Sequence, residues 1–175
     1  GISRMASHDF AQLLAKNLTS DLSATLGIEW SRRETWNRNY SETRVPLVPS
    51  AIIELLSHQN FTDVRYAHDP HVKFMIARSL YKSILQYVNY QHDITDYQVQ
   101  PLPVNTFAAQ FIDEKGCVRL TWEPTIDILE PTAHPTGYVV YTRKGARDFD
   151  NGVFVHTNEY EINIESDEQY SFKVV

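Results

Sequence analysis

The chain has one cysteine, Cys117, in 175 residues, which excludes an internal disulfide framework and any multi-cysteine zinc site. Cys117 falls in a strand-like stretch and reads as a small buried hydrophobe, so it says nothing of redox compartment. No stretch approaches the roughly 20 apolar residues of a membrane span. The opening Gly1-Ile-Ser-Arg-Met has no apolar segment of the kind a secretory leader carries. A chain that begins at Gly1 reads as a processed or engineered segment of something longer. Basic charge is also short: 16 Lys and Arg stand against 22 Asp and Glu, a net charge of −6. A nucleic-acid binder usually presents a basic face, so the balance argues against that partner.

What is present is apolar and aromatic: 42% hydrophobic residues, with 3 Trp, 10 Tyr and 8 Phe. That is enough for a folded chain and suits a β-rich part with large side chains to bury. In the first half, Phe10, Leu14, Leu18, Leu22 and Leu26 recur every fourth residue, and Leu13 widens the stripe. The spacing predicts an amphipathic helix, capped by Ser7, with Asp9 in its first turn and Gly27 as its stop. Residues 28–43 mix Trp30, Trp36 and Tyr40 with Arg32, Arg33 and Arg38, and Arg44 follows; this is a loop or the rim of a site. Ser50-Ala-Ile-Ile-Glu-Leu-Leu is a short apolar run without alternation, as expected of a strand covered on both faces. Asp69 and Pro70 then open a second helix with Val72, Met75, Ile76, Leu80, Ile84, Tyr87 and Val88 on its apolar face. A buried strand followed by an amphipathic helix is the grammar of an α/β domain.

Near residue 90 the period changes. Asn89 to Val104 is polar, carries Pro101 and Pro103, and reads as a linker. Beyond it the apolar residues alternate: Phe107, Ala109, Phe111; Val118, Leu120, Trp122; Tyr160, Ile162, Ile164; Tyr170, Phe172, Val174. Glu114-Lys115-Gly116 and Asp150-Asn151-Gly152 mark turns, and Gly137-Tyr-Val-Val-Tyr opens a further strand. Short alternating strands with turns every ten or so residues predict an antiparallel sandwich. The expected organisation is an α/β portion over 1–93 and an all-β sandwich over 94–175.

The stretch Pro49-Ser-Ala-Ile-Ile-Glu54, with Asn60, Asp63, Asp69-Pro70, Ile76-Ala77, Tyr81, Ile84 and Tyr87, resembles the end of the zinc-dependent N-acetylmuramoyl-L-alanine amidases. The match runs without a gap from Pro49 to Tyr87. Departures are Leu56 and Ser57, where that family usually has a glycine and an aromatic residue, and Ser83, where glycine is common. The second half resembles a fibronectin type III domain: Leu120-Thr-Trp122 is similar to its tryptophan strand, Gly137–Tyr141 to its central strand, and Tyr170–Val174 to its tyrosine-corner strand. The chain ends before a last strand of that domain.

The first resemblance implies a bacterial, extracytoplasmic protein, whether secreted, periplasmic or at the cell surface. Its partner is peptidoglycan or another cell-surface glycan, and its reaction is hydrolysis of the N-acetylmuramoyl–L-alanine amide. Glu54 is then the catalytic residue, a carboxylate at the end of a buried strand that accepts the proton of a zinc-bound water. The bland alternative is a solvated or salt-bridged glutamate. The family's two histidines and metal-binding glutamate belong to motifs earlier than anything in this chain. His58, His68 and His71 have no ligand spacing, so no residue is assigned to metal. The zinc is expected in a longer parent, with this chain alone inactive and zinc-free. Trp36, Arg38 and Arg44 are candidate substrate-binding residues, since aromatics stack on sugars and Arg pairs with carboxylates; the alternative is a packed loop with solvated arginines. A second reading of the whole is a non-catalytic accessory or glycan-binding module of a surface polysaccharide-degrading protein.

Overall fold

The computed structural model describes residues 4–165 and 167–175. Gly1–Ser3, three of the five residues read above for a leader, lie outside the described residues. The chain carries both helices and antiparallel sheets and divides into two compact units, Gly1–Tyr97 and Gln98–Val175.

Unit 1 is helical. Helix α1 (Arg4–Leu26) is followed by the short α2 (Ser41–Arg44), then α3 (Phe61–His68) and α4 (Pro70–Gln91). The fourfold leucine spacing places Leu14, Leu18 and Leu22 in the buried face of α1. Gly27 ends the helix at φ 65°, donating its N–H to Ser23 O at 3.0 Å. The other end differs from expectation. The helix is already formed at Arg4, so Ser7 lies within it and Asp9 beyond its first turn; Ser7 Oγ instead accepts the Ser50 N–H at 3.2 Å. Helix α4 begins as its sequence reads, with Asp69 accepting the His71 N–H at 2.8 Å and Pro70 where no N–H is needed.

Helices α1 and α4 pack antiparallel through polar as well as apolar contacts. Asn17 donates to Ser83 Oγ at 3.1 Å and to Gln86 Oε1 at 2.8 Å, and Ser83 donates to Ser79 O at 2.8 Å. Lys82 pairs with Asp21 at 3.2 Å, both largely buried. Phe10 and Tyr87 meet at 4.8 Å, and the Tyr87 hydroxyl donates to Ala6 O at 3.1 Å. Burial, with the nearby Asp9 charge as a lesser cause, pushes the Tyr87 hydroxyl's pKa up, which keeps it a donor.

The buried residues of α4 are Val72, Ser79, Ser83, Tyr87 and Asn89; Val72 and Tyr87 belong to the apolar face the sequence suggests, and the two serines and Asn89 do not. Ile84 and Val88, expected inside, are 49% and 48% exposed. Helix α1 is the main neighbour of α4, and Asn17 of α1 selects a serine face through a hydrogen bond that an aliphatic face cannot accept.

The predicted buried strand is also absent: residues 50–56 pair with no strand, and Ile52 and Ile53 are exposed. A strand covered on both faces needs neighbours for its N–H and C=O groups. Among the described residues, every strand lies in unit 2.

Unit 2 holds β1 (Asn105–Ile112), β2 (Cys117–Glu123), β3 (Tyr138–Lys144), β4 (Val153–Val155), β5 (Glu159–Asn163) and β6 (Tyr170–Val174). They form two three-stranded antiparallel sheets, in the orders β1-β2-β5 and β4-β3-β6. The period-two pattern explains the interior. Val118, Leu120 and Trp122 from β2 meet Tyr138 and Val140 from β3 in one cluster, flanked by Tyr160, Ile162, Phe172 and Val174. Trp122 and Tyr138 touch edge-to-face at 5.3 Å. The turns obey their residues: Gly116 (φ 59°) closes β1 to β2 after a 3₁₀ turn at Asp113–Lys115, and Gly152 (φ 74°) leads into β4.

Strand β1 departs from expectation. Phe111 lies opposite Val118 and Ala109 opposite Leu120, on the side that β2 buries. Yet Phe107 and Phe111 remain exposed, Phe111 at 53%.

Candidate functional site

Glu54 is exposed, in a segment with no regular structure, and among the described residues nothing pairs with its carboxylate. It does not stand at a strand end, because there is no strand. The chain just after it is firmly shaped, however. Asn60 caps α3, its Oδ1 accepting from Thr62 N–H at 2.9 Å and Asp63 N–H at 3.4 Å, while Asp63 reaches back to the Ser57 N–H at 2.8 Å. Asn60 and Asp63, both among the residues that carry the amidase resemblance, together fix the start of α3.

Among the described residues, no group of three or more His, Cys, Asp or Glu side chains could hold a metal ion. His58, His68 and His71 are all exposed. The residues present do not fit the zinc that the amidase resemblance implies, because a catalytic zinc needs about three converging protein ligands. No helix among them is long and apolar enough to cross a membrane.

The three candidate binding residues separate. Trp36 is 60% exposed, and Arg38 lies over its ring with Cζ 5.4 Å from the centroid. Arg33, read in the same loop but not among the three candidate binding residues, lies 5.6 Å from the same centroid. Arg44 sits in the last turn of α2 and makes no such contact with the ring. The signal that could have found Arg33 is its place three residues before an exposed tryptophan, with Arg38 two residues after it.

Why these side chains face outward follows from how the loop is tied down. Trp30 packs on Tyr66 at 5.5 Å, and its N–H donates to Ser23 Oγ at 2.9 Å. Gln12 of α1 donates to Thr35 Oγ1 at 2.9 Å and accepts from Arg32 Nη1 at 3.1 Å. Residues 30, 32 and 35 are thus spent on the helices, which leaves 33, 36 and 38 to solvent. Among the described residues neither Arg33 nor Arg38 forms an ion pair with a carboxylate. The arrangement can present two planar guanidinium groups and an aromatic face together.

In unit 2, Arg119 and Lys115 share one carboxylate. Arg119 donates from Nε and Nη2 to Glu161 Oε1, at 2.9 and 2.6 Å, and Lys115 approaches Glu161 Oε2 at 3.3 Å. The Arg119 hydrogen bonds, followed by that from Lys115, hold the Glu161 carboxyl below its usual range.

No protein-family model matches the chain, and no curated protein matches it.

Proposed function

We propose that this chain is the closing part of an amidase-like α/β domain followed by a fibronectin type III-like sandwich, in a cell-wall hydrolase acting on the N-acetylmuramoyl–L-alanine bond. The observation that carries the reading is the ungapped resemblance from Pro49 to Tyr87, with the Asn60–Asp63 cap that follows Glu54. The exposed Ile52, Ile53, Ile84 and Val88 support it, since these are the surfaces that further strands of an α/β domain would cover. For unit 2, support comes from the strand orders β1-β2-β5 and β4-β3-β6, the first a run of consecutive hairpin neighbours joined by a later strand. The Tyr170 hydroxyl accepts the Glu165 N–H at 3.2 Å, a tyrosine at the start of its strand bonding back to the chain just upstream, as in a tyrosine corner. A further strand beside β6 would cover the exposed Phe107 and Phe111 of β1.

In this reading Glu54 takes a proton from the water that attacks the amide carbonyl, and its open position suits that task better than a structural ion pair would. The test is hydrolysis of purified peptidoglycan by the natural protein containing this chain, compared with its Glu54→Gln variant. Loss of a general base costs about 10²–10⁴-fold in turnover. The melting temperature should stay put, since Glu54 has no partner to lose. Unchanged hydrolysis removes Glu54 from the mechanism.

A second reading, a glycan-binding module without hydrolysis, is favoured by one observation: the exposed Trp36 ring with Arg33 and Arg38 beside it.

A further inference from the structure

We propose that Arg33, Trp36 and Arg38 form a binding site for a polysaccharide whose sugars carry carboxylates. The inference rests on the glycan-binding reading and does not require Glu54 to act as a base.

Three features carry it. Arg33 and Arg38 each lie within 5.6 Å of one ring centre, so two fixed cations are close enough to act on one ligand. A guanidinium beside an aromatic ring keeps its in-plane N–H groups free, and those are the groups that take a carboxylate in two parallel bonds. Trp36 stays 60% exposed beside the two arginines, and that apolar surface can take the apolar side of a sugar, which an extended acidic peptide does not need. The loop is pinned at Trp30, Arg32 and Thr35, so little ordering entropy is lost when a ligand arrives.

The net charge sharpens the expectation. The chain's net charge of −6 offers a polyanion no general attraction, so retention of one marks a local cationic site. Such binding weakens with salt, because exposed charges are screened over about 10 Å at 0.1 M.

The experiment is calorimetric titration of the 175-residue chain with polygalacturonate, dextran and poly-glutamate. Polygalacturonate should bind, dextran should not, and poly-glutamate should bind more weakly. Arg33→Gln and Arg38→Gln should each weaken polygalacturonate binding about threefold to tenfold, as expected of an exposed charged contact. Trp36→Ala should weaken it by at least as much, whereas Arg147→Gln, in unit 2, should leave it unchanged. Circular dichroism of each variant should match the parent, since none of the three residues anchors the loop. Absence of polygalacturonate binding overturns the proposal, as does binding that survives the double arginine change. Poly-glutamate bound as tightly as polygalacturonate, with no loss in Trp36→Ala, makes this an acidic-peptide site instead. None of these outcomes bears on hydrolysis by the natural protein, so the two readings fail separately.

Discussion

Leu120 tests whether the two sheets of unit 2 are held by one shared interior. Its side chain is 0% exposed, at the centre of β2 between Val118 and Trp122. Across the ladder it faces Ala109 on one side and Tyr160 on the other. Alanine is too short to fill a void, and the tyrosine ring is too rigid to fold into one. Leu120→Ala should therefore leave most of its cavity open and fall in the upper part of the usual range, about 4 kcal/mol. A unit of this size is held by about 4–12 kcal/mol in total, so the change removes a third or more of its stability. With a urea slope near 1.5 kcal/mol per M, the unfolding midpoint should drop by about 2–3 M. Trp122, in the same cluster, supplies the fluorescence that reports it. Thr121→Ala, one residue on and exposed, is the control and should shift stability by less than about 0.5 kcal/mol. A Leu120→Ala loss below about 1 kcal/mol, with the slope unchanged, would refute a tightly packed common interior.

Three more expectations follow from single contacts. Asp69→Ala removes the cap on the His71 N–H and should cost unit 1 about 1 kcal/mol; an unchanged thermal midpoint would mean the cap is replaced by water at no cost. Gly152→Ala should cost more than about 1 kcal/mol, because φ is 74° and a Cβ would stand 2.5 Å from Val139 Cγ1 and 2.9 Å from Tyr141 Cε1; urea titration showing wild-type stability would contradict the geometry. The Glu161 carboxyl is lowered by Arg119 and then Lys115, so the stability it adds is present above the unfolded glutamate pKa and is lost as pH falls through its lower folded value. Arg119→Gln should flatten that acid limb of the stability profile, and an unaltered limb would place the titration elsewhere.

Much of this fold is written in local chemistry. The leucine spacing of α1, the Asp69-Pro70 start of α4, and the glycines at 27, 116 and 152 each depend on near neighbours in the chain, and each is legible. The alternation in β2 is legible for the same reason, since one face of a strand is simply every second residue. What was not legible depends on partners far away in sequence. Residues 50–56 have the composition of a buried strand, but composition cannot supply the neighbours that satisfy its backbone. The start of α1 was misplaced because Ser7 is spent on the Ser50 N–H, a contact 43 residues away. Arg33 is not among the sequence candidates because its contact with Trp36 comes from the shape of an irregular loop, where no periodicity guides the reading.

The same physics accounts for the faces left open. Single apolar residues on a surface need no explanation, but a periodic set does. Phe74, Ala77, Tyr81, Ile84 and Val88 follow one another along α4 at alternating steps of three and four, and all five are exposed. Phe107, Ala109 and Phe111 follow one another along β1 at steps of two and are exposed as well, Ala109 and Phe111 on the side of the sheet that β2 buries. A helix whose serines face its neighbour and whose aliphatic side chains face water has its amphipathic pattern satisfied on one side only. Asn17, Ser83, Asp21 and Lys82 hold α1 to α4 without using that stripe. The sandwich reading accounts for the open face of β1 by a strand beside β6, and the amidase-like reading accounts for the open face of α4 by further sheet. Both readings draw support from the same argument: a regular apolar period is a requirement for cover, whether or not the cover is in view.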